Sequence, residues 1–237
     1  MPPAPAKNPP TLAHAVAALQ KLANPAKVAT YRNFFKNCRD DTFLGVTTPL
    51  CRQLAKEYRD LPLAAVRTLM QSRVHDERSL AHKILVLQYQ KADEAGQAKL
   101  HQFYLKNRGC IRDWDGVDDS APYLVGEHLL DRDKALLYEL ILSPSQWDRR
   151  IALVSTWPLI QAGKINDTLK LAALVLGDEA DLIHKAAGWM LREVGKKDVA
   201  ALRNFLEKHR ADMPRTMLRY AIERFTPAER ARWLKRA

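Results

Sequence analysis

Apolar residues recur along almost the whole chain at the spacing of a helix. Leu12, Val16 and Leu19 fall at i, i+4 and i+7; Leu136, Leu137, Leu140 and Ile141 keep the same rhythm, as do Leu169, Leu171, Ala172, Leu174, Val175 and Leu176. Runs of Val, Ile and Thr alternating with polar residues, the mark of a half-buried strand, are missing, and glycine is rare, with 9 in 237 residues. The pattern predicts an all-α chain.

Helix starts can be read from capping residues and prolines. Asn24-Pro25 and Thr48-Pro49 each set a capping side chain before a proline at the first helical position. Further starts are expected at His75-Asp76, Asp113, Ser145, Asp178 to Asp181 and Asp212 to Pro214. From Thr48 onward these mark every second helix, at intervals of roughly 27 to 37 residues, the period of two-helix repeats. The reading that follows is an α-solenoid superhelix of about six antiparallel helix pairs, in which no pair buries its apolar stripe without its neighbours. An irregular helical bundle is the alternative. Pro158 sits inside a periodic segment and should kink or end its helix.

Composition narrows the class. With 47% hydrophobic and 27% charged residues, the chain has ordinary folded composition. Residues 1–10, rich in proline, are expected to be disordered, and 11–237 to form a single repeat domain. No run of 18 apolar residues exists, and MPPAPAKNPPT lacks the basic and apolar regions of a signal peptide, so a cytoplasmic protein with no membrane partner is expected. Cys38, Cys51 and Cys110 show no CxxC spacing, and the histidines form neither HxxxH nor HExxH; no metal and no cofactor are expected. A monomer is the default.

Charge points to a partner. Lys and Arg number 38 against 27 Asp and Glu, a formal net charge of +11, which suits a polyanion such as nucleic acid. Residues 185–237 alone hold fourteen Lys or Arg against six Asp or Glu, a net of +8. If the first helices of the pairs are equivalent, they line one concave surface with Arg52, Arg78, Lys83, Trp114, Asp118, Arg149, Arg150, Lys185, Trp189, Arg192, Arg215 and Arg219. Basic side chains at intervals of one repeat suit a phosphate backbone, which asks for point charges and helix N-termini rather than base-edge contacts.

One stretch runs against this charge. RDWDGVDDSAP, residues 112–122, packs four aspartates around Trp114. Asp113 reads as an N-cap, and Asp115 falls in the first turn, where a carboxylate complements the helix dipole by roughly 0.3 to 1 kcal/mol. Asp119 is expected to face solvent. Asp118 lies i+4 from Trp114 and shares its face. Trp189 likewise shares a face with Lys185 and Arg192. Tryptophans at helical spacing are most often core, and Trp147 and Trp157 are read that way; charged flanks set Trp114 and Trp189 apart.

A carboxylate in a cationic groove repels the phosphates that the arginines attract, so it needs positive charge developing nearby. Hydrolysis of an N-glycosidic bond provides this in the oxocarbenium-like state of the deoxyribose. At about 4 Å and an effective dielectric near 20, the attraction is worth roughly 4 kcal/mol, about a thousandfold in rate. The same carboxylate can take a proton from the attacking water, and flanking tryptophan faces favour cationic character.

At these residues the sequence resembles the bacterial DNA alkylation repair glycosylases of the AlkD type, built of HEAT-like repeats. The resemblance rests on FLGVTTPLCRQLAKE (43–57), DWDGVD (113–118), QWDRRIAL (146–153), LIHKAAGWMLREVGKKD (182–198) and MPRTMLRYAIERF (213–225), and spans about residues 25–230. It implies a monofunctional glycosylase that excises positively charged N3- and N7-alkylated purines from double-stranded DNA without flipping the base, an exception to the usual strategy. It implies that Trp114 and Asp118 are the aromatic and catalytic carboxylate of the W-D-x-x-D motif. Arg150 matches the arginine of W-x-x-R, and Trp189 the second aromatic. Thr47, Thr48, Arg149, Lys185, Arg192, Arg215 and Arg219 are expected at the DNA backbone. An alkylated purine leaves without a general acid, and the sequence offers neither an evident proton donor nor a lone lysine for Schiff-base chemistry.

Two positions depart from the family pattern. Asp113 stands where Trp or Asn is more frequent, placing a second acid near Asp118. Gly116 stands where a larger residue is usual, at a cost of roughly 0.5 to 1 kcal/mol within a helix. A HEAT-like DNA-binding protein without catalysis is the competing reading; a protein-binding scaffold leaves the embedded carboxylate unexplained.

Overall fold

A computed structural model describes residues 11–36, 38 and 40–235. The proline-rich stretch 1–10 lies outside the described residues. The chain divides into two compact units, one through Ser120 and one from Ala121. Among the described residues there is no strand, only a single parallel bridge between Thr42 and Val74. The all-α class holds.

The first unit contains α1 (Leu12–Lys21), α2 (Pro25–Phe34), α3 (Thr48–Glu57), α4 (Leu63–Met70), α5 (His75–Lys91), α6 (Glu94–Asn107), a 3-10 turn (Arg108–Cys110) and α7, which starts at Trp114 and ends at Ala121. Side-chain caps begin α1 at Thr11, α6 at Asp93 and α7 at Asp113, each accepting a backbone N–H three residues on. The two proline-marked starts behave differently from expectation. Asn24 precedes Pro25 but makes no cap hydrogen bond with its side chain, and α3 begins one residue early, with Thr47 at the cap position and Thr48 already helical. Proline lacks only an N–H that the first turn leaves unused, so Pro49 is accommodated one position further in.

Helix α5 is the core of this unit. It packs on α3, α4 and α6, with Leu80, Ala81, Ile84 and Leu85 fully buried. Burial of such side chains is worth about 1.5 to 3 kcal/mol each for the larger ones. Its first turn also fixes a loop: the Asp76 carboxylate accepts Leu44 N–H at 2.7 Å and Val46 N–H at 2.8 Å. These bonds set the segment that delivers Thr47 and Thr48 to the start of α3.

The second unit opens with a π-helical turn (Pro122–Glu127) and continues through α8 (Ala135–Ile141), α9 (Gln146–Val154), α10 (Trp157–Gln161), α11 (Asn166–Leu174), α12 (Asp181–Lys197), α13 (Val199–His209), α14 (Arg215–Ala221) and α15 (Pro227–Leu234). Pro158 falls in the first turn of α10, after a break that ends α9 at Val154. Helix α12 is central, packing on α9, α10, α11, α13 and α14. Its Gly188 explains the closeness of α14: a Cβ there would lie 2.5 Å from the Met217 carbonyl oxygen and 2.6 Å from Tyr220 Cβ. Helices whose starts were read as first members of pairs stack on one another within each unit, α3 on α5, and α9 and α14 on α12.

Candidate functional site

The acidic stretch that begins α7 is tied side chain by side chain to α5. Asp113 caps its own helix, its Oδ1 accepting Gly116 N–H at 3.1 Å, while its Oδ2 accepts from Arg78 Nε at 3.1 Å and Nη2 at 2.6 Å. Arg78 is fully buried; its Nη2 also donates to Asp41 and its Nη1 to the Ser72 carbonyl. Burial works against the Asp113 charge, but Arg78, with help from His75 and His82, outweighs it and holds the carboxyl below its ordinary range. The second acid beside Asp118 is thus spent on Arg78. Arg78, in turn, does not line an open surface as its helix position suggested, because two carboxylates and a carbonyl satisfy it inside the unit.

Asp115 and Asp119 make the next two ties. Asp115 sits 3.1 Å from His75 Nε2. Burial pushes its carboxyl up to about 6, and Asp113 adds to that. For His75 burial alone would depress the imidazole, but the hydrogen bond and charge of Asp115, aided by Asp113, more than offset it and raise the ring above its ordinary value. Asp119 was expected to face solvent; instead it accepts from Lys83 Nζ at 2.5 Å and has Arg52 at 3.7 Å. Lys83, buried in α5, reaches it across the two helices.

Gly116 is explained by the same contact. A Cβ at this position would stand 2.6 Å from Asp113 Oδ1 and 2.7 Å from His82 Cε1. His82 is buried, neither ring nitrogen has a hydrogen-bond partner among the described residues, and burial drives its pKa down to about 4, so it packs as a neutral ring in the space that glycine leaves.

What this docking presents is a cavity of about 400 Å³ lined by Tyr31, Phe34, Phe35, Thr48, Trp114, Asp115, Asp118 and Asp119. Trp114 stacks on Phe35 with ring centroids 5.0 Å apart and planes 10° from parallel, and its Nε1 donates to the Phe34 carbonyl at 3.3 Å. It therefore packs against the small core of Phe35, Cys38 and Phe43 and lines the cavity as well. Asp118, one turn along, shares that cavity, with Thr48 on its wall and Thr47 adjacent in sequence.

In the second unit Trp189 is half-buried against Ile160, Met190 and Val194, where Trp157 also packs. Arg150 is 5% exposed, and its Nη1 donates to the Leu182 carbonyl in the first turn of α12 at 2.6 Å. Arg149 is held by Asp178 at 2.6 Å and by the carbonyls of Ser143 and Pro144. Lys185 pairs with Asp181 at 2.8 Å, and Arg192 with Glu223. Arg215 is exposed, with one donor on the Leu234 carbonyl, and Arg219 is exposed.

Sequence reasoning missed the pairing of His75 with Asp115 and the aromatic wall of Tyr31 and Phe35, and it read Lys83 as a groove cation where the side chain instead holds Asp119. The HisAsp pair at residues 75 and 76 was visible as a helix start, but nothing local shows that the ring meets α7. Among the described residues two clusters have ligand-type side chains close together, Cys38 with Asp41 and Asp113, and His75 with Asp113 and Asp115. Both use Asp113, from which a metal would have to displace the Arg78 guanidinium.

A family described as DNA alkylation repair enzyme matches residues 15–225. A solved structure of a predicted DNA alkylation repair enzyme from Enterococcus faecalis is similar at a TM-score of 0.68 and 18% identity, covering 86% of this chain and 97% of that one. At this identity the likeness speaks for the fold. No curated protein matches significantly. Among the described residues no helix is long and apolar enough to cross a membrane. With the family's pattern running over most of its length, the chain belongs to the DNA alkylation repair enzyme family.

Proposed function

We propose that the protein is a monofunctional DNA glycosylase acting on positively charged N3- and N7-alkylated purines in duplex DNA, without drawing the base into a pocket. The observation that carries this reading is the cavity whose lining brings Asp118 together with Trp114. In this reading the cavity takes the sugar, and Asp113, Asp115 and Asp119, paired with Arg78, His75 and Lys83 of α5, hold the helix that carries Asp118.

In the proposed reaction the bond between C1′ and the purine nitrogen breaks, and its electron pair leaves with the base and cancels the base's positive charge. The carboxylate of Asp118 stabilises the cationic sugar. Water then adds to C1′, and its proton passes to Asp118. Because the leaving base is already cationic, the scheme needs no general acid. The same reading gives Trp189 and Arg150 to the DNA around the lesion, and Thr47, Thr48, Arg149, Lys185, Arg192, Arg215 and Arg219 to its backbone. Arg149, Lys185 and Arg192 would exchange an internal carboxylate for a phosphate, a swap between partners of like charge.

Single-turnover release of N7-methylguanine or N3-methyladenine from a methylated duplex tests the proposal. Asp118→Asn should slow release by roughly a thousandfold, the value of about 4 kcal/mol of charge stabilisation, while DNA binding is retained. Wild-type protein that binds such DNA and frees no base over hours supports the non-catalytic DNA-binding reading instead.

A further inference from the structure

Among the residues facing the cavity or just behind it, His75 touches both of its walls. Its Nε2 meets Asp115 on α7 at 3.1 Å. Its ring lies 4.2 Å, centroid to centroid, from Phe35, which is itself stacked on Trp114. It also lies 5.0 Å from Phe43. The side chain is buried, and among the described residues its Nδ1 has no hydrogen-bond partner. Asp115, one-fifth exposed, opens onto the same cavity as Asp118.

We propose that His75 is a positioning residue for the Asp118 cavity, holding its acidic wall through Asp115 and its aromatic wall through Phe35, so that Trp114 and Asp118 keep their places only while the His75–Asp115 pair is closed. This rests on the glycosylase reading only for its effect on rate; the positioning itself is a property of the cavity.

The other ionisable groups facing the pair are Asp113 on α7, Arg78 and Lys83 on α5, and Tyr31 on α2. Asp113 is committed to Arg78 and Lys83 to Asp119, which leaves His75 to answer the Asp115 charge. A histidine raised above its ordinary value gives its full contribution below about pH 6.5 and loses it as pH rises through the raised value. Asp115 ionises above about 6. The charged pair is therefore complete between these limits and loses the imidazolium charge on the alkaline side.

His75→Gln keeps a hydrogen-bond donor but removes the titration. Base release by the wild type is expected to exceed that of His75→Gln about tenfold near pH 6.5, a fraction of the roughly hundredfold that a 1 Å misplacement can cost, and the ratio should shrink toward one as pH rises through the raised value of His75. Because both proteins meet the same substrate, its own chemistry cancels from the ratio. Independently of activity, the Trp114 indole N–H resonance in the full chain should shift with the same midpoint as the His75 ring and stop doing so in His75→Gln. Asp115→Asn, which leaves the imidazole in the core, should abolish the same coupling.

An indole signal indifferent to His75 overturns the proposal, as does a wild-type to variant ratio constant with pH. Coupled titration in a protein that releases no alkylated base upholds the positioning role and rejects the glycosylase reading.

Discussion

In Asp113→Asn the amide keeps an oxygen that can cap α7, and asparagine is as good an N-cap as aspartate, but Arg78 loses one of its two counter-charges. Arg78 is fully buried, and its Nε and Nη2 both donate to the Asp113 carboxylate. Removing one partner of a buried ion pair typically costs about 3 to 5 kcal/mol; with Asp41 still in place, a loss near the lower end, about 3 kcal/mol, is expected. Asp113→Ala adds the loss of the cap, roughly 1 kcal/mol more. Urea unfolding of both variants, read in the transition that reports the first unit, should show midpoints falling in the order wild type, Asn, Ala. The pH dependence carries the sign. A carboxyl held below its ordinary range contributes stability above that range and loses it as pH falls through the depressed value, so the gap between wild type and Asp113→Asn should close in strong acid. A loss under about 1 kcal/mol at neutral pH, or a gap unchanged by acid, would refute the assignment of Asp113 as the charge that permits Arg78 to be buried.

Gly116→Val should disturb both the cap and the seat of His82, lowering stability by about 1 to 3 kcal/mol through overpacking and slowing base release; His82→Ala in the same chain should recover part of both, as thermal unfolding and single-turnover assays will show. Binding to methylated duplex should weaken steeply as salt rises, with a log–log slope of about 0.9 per phosphate neutralised, measured by fluorescence anisotropy; a flat salt dependence would exclude backbone contact by the exposed Arg215 and Arg219. Arg215→Ala should lower that slope by about one if its guanidinium meets a phosphate.

Much of the fold could be read from short-range signals. The starts of α5, α7, α9, α12 and α14 fall at or within a few residues of the expected positions, although α5, α9, α12 and α14 have no side-chain cap; Asp113 does cap α7, as its position before Trp114 suggests, because capping is settled within three residues. What escaped is settled across long separations. Arg78 and Asp113 are 35 residues apart, and Lys83 and Asp119 are 36; no periodicity on either helix announces that the two rows of charge will meet. Asp119 consequently read as a solvent residue and Arg78 as a surface cation. Around Trp189 the pairing is likewise hidden from the sequence. Lys185 is taken up by Asp181 and Arg192 by Glu223, so charged neighbours in sequence coexist with a tryptophan half-buried on a small apolar core.

The contact between Gly116 and His82 also limits how this sequence can change. Neither position is free to vary alone: a side chain at 116 meets the imidazole, and an alanine at 82 opens a void under α7 that glycine cannot fill. Substitutions at the two sites are therefore expected to travel together across generations, a larger residue on α7 answered by a smaller one on α5, with the singly substituted intermediate being a less stable protein. The pair marks a place where the chain's history should be legible as correlated change rather than as invariance.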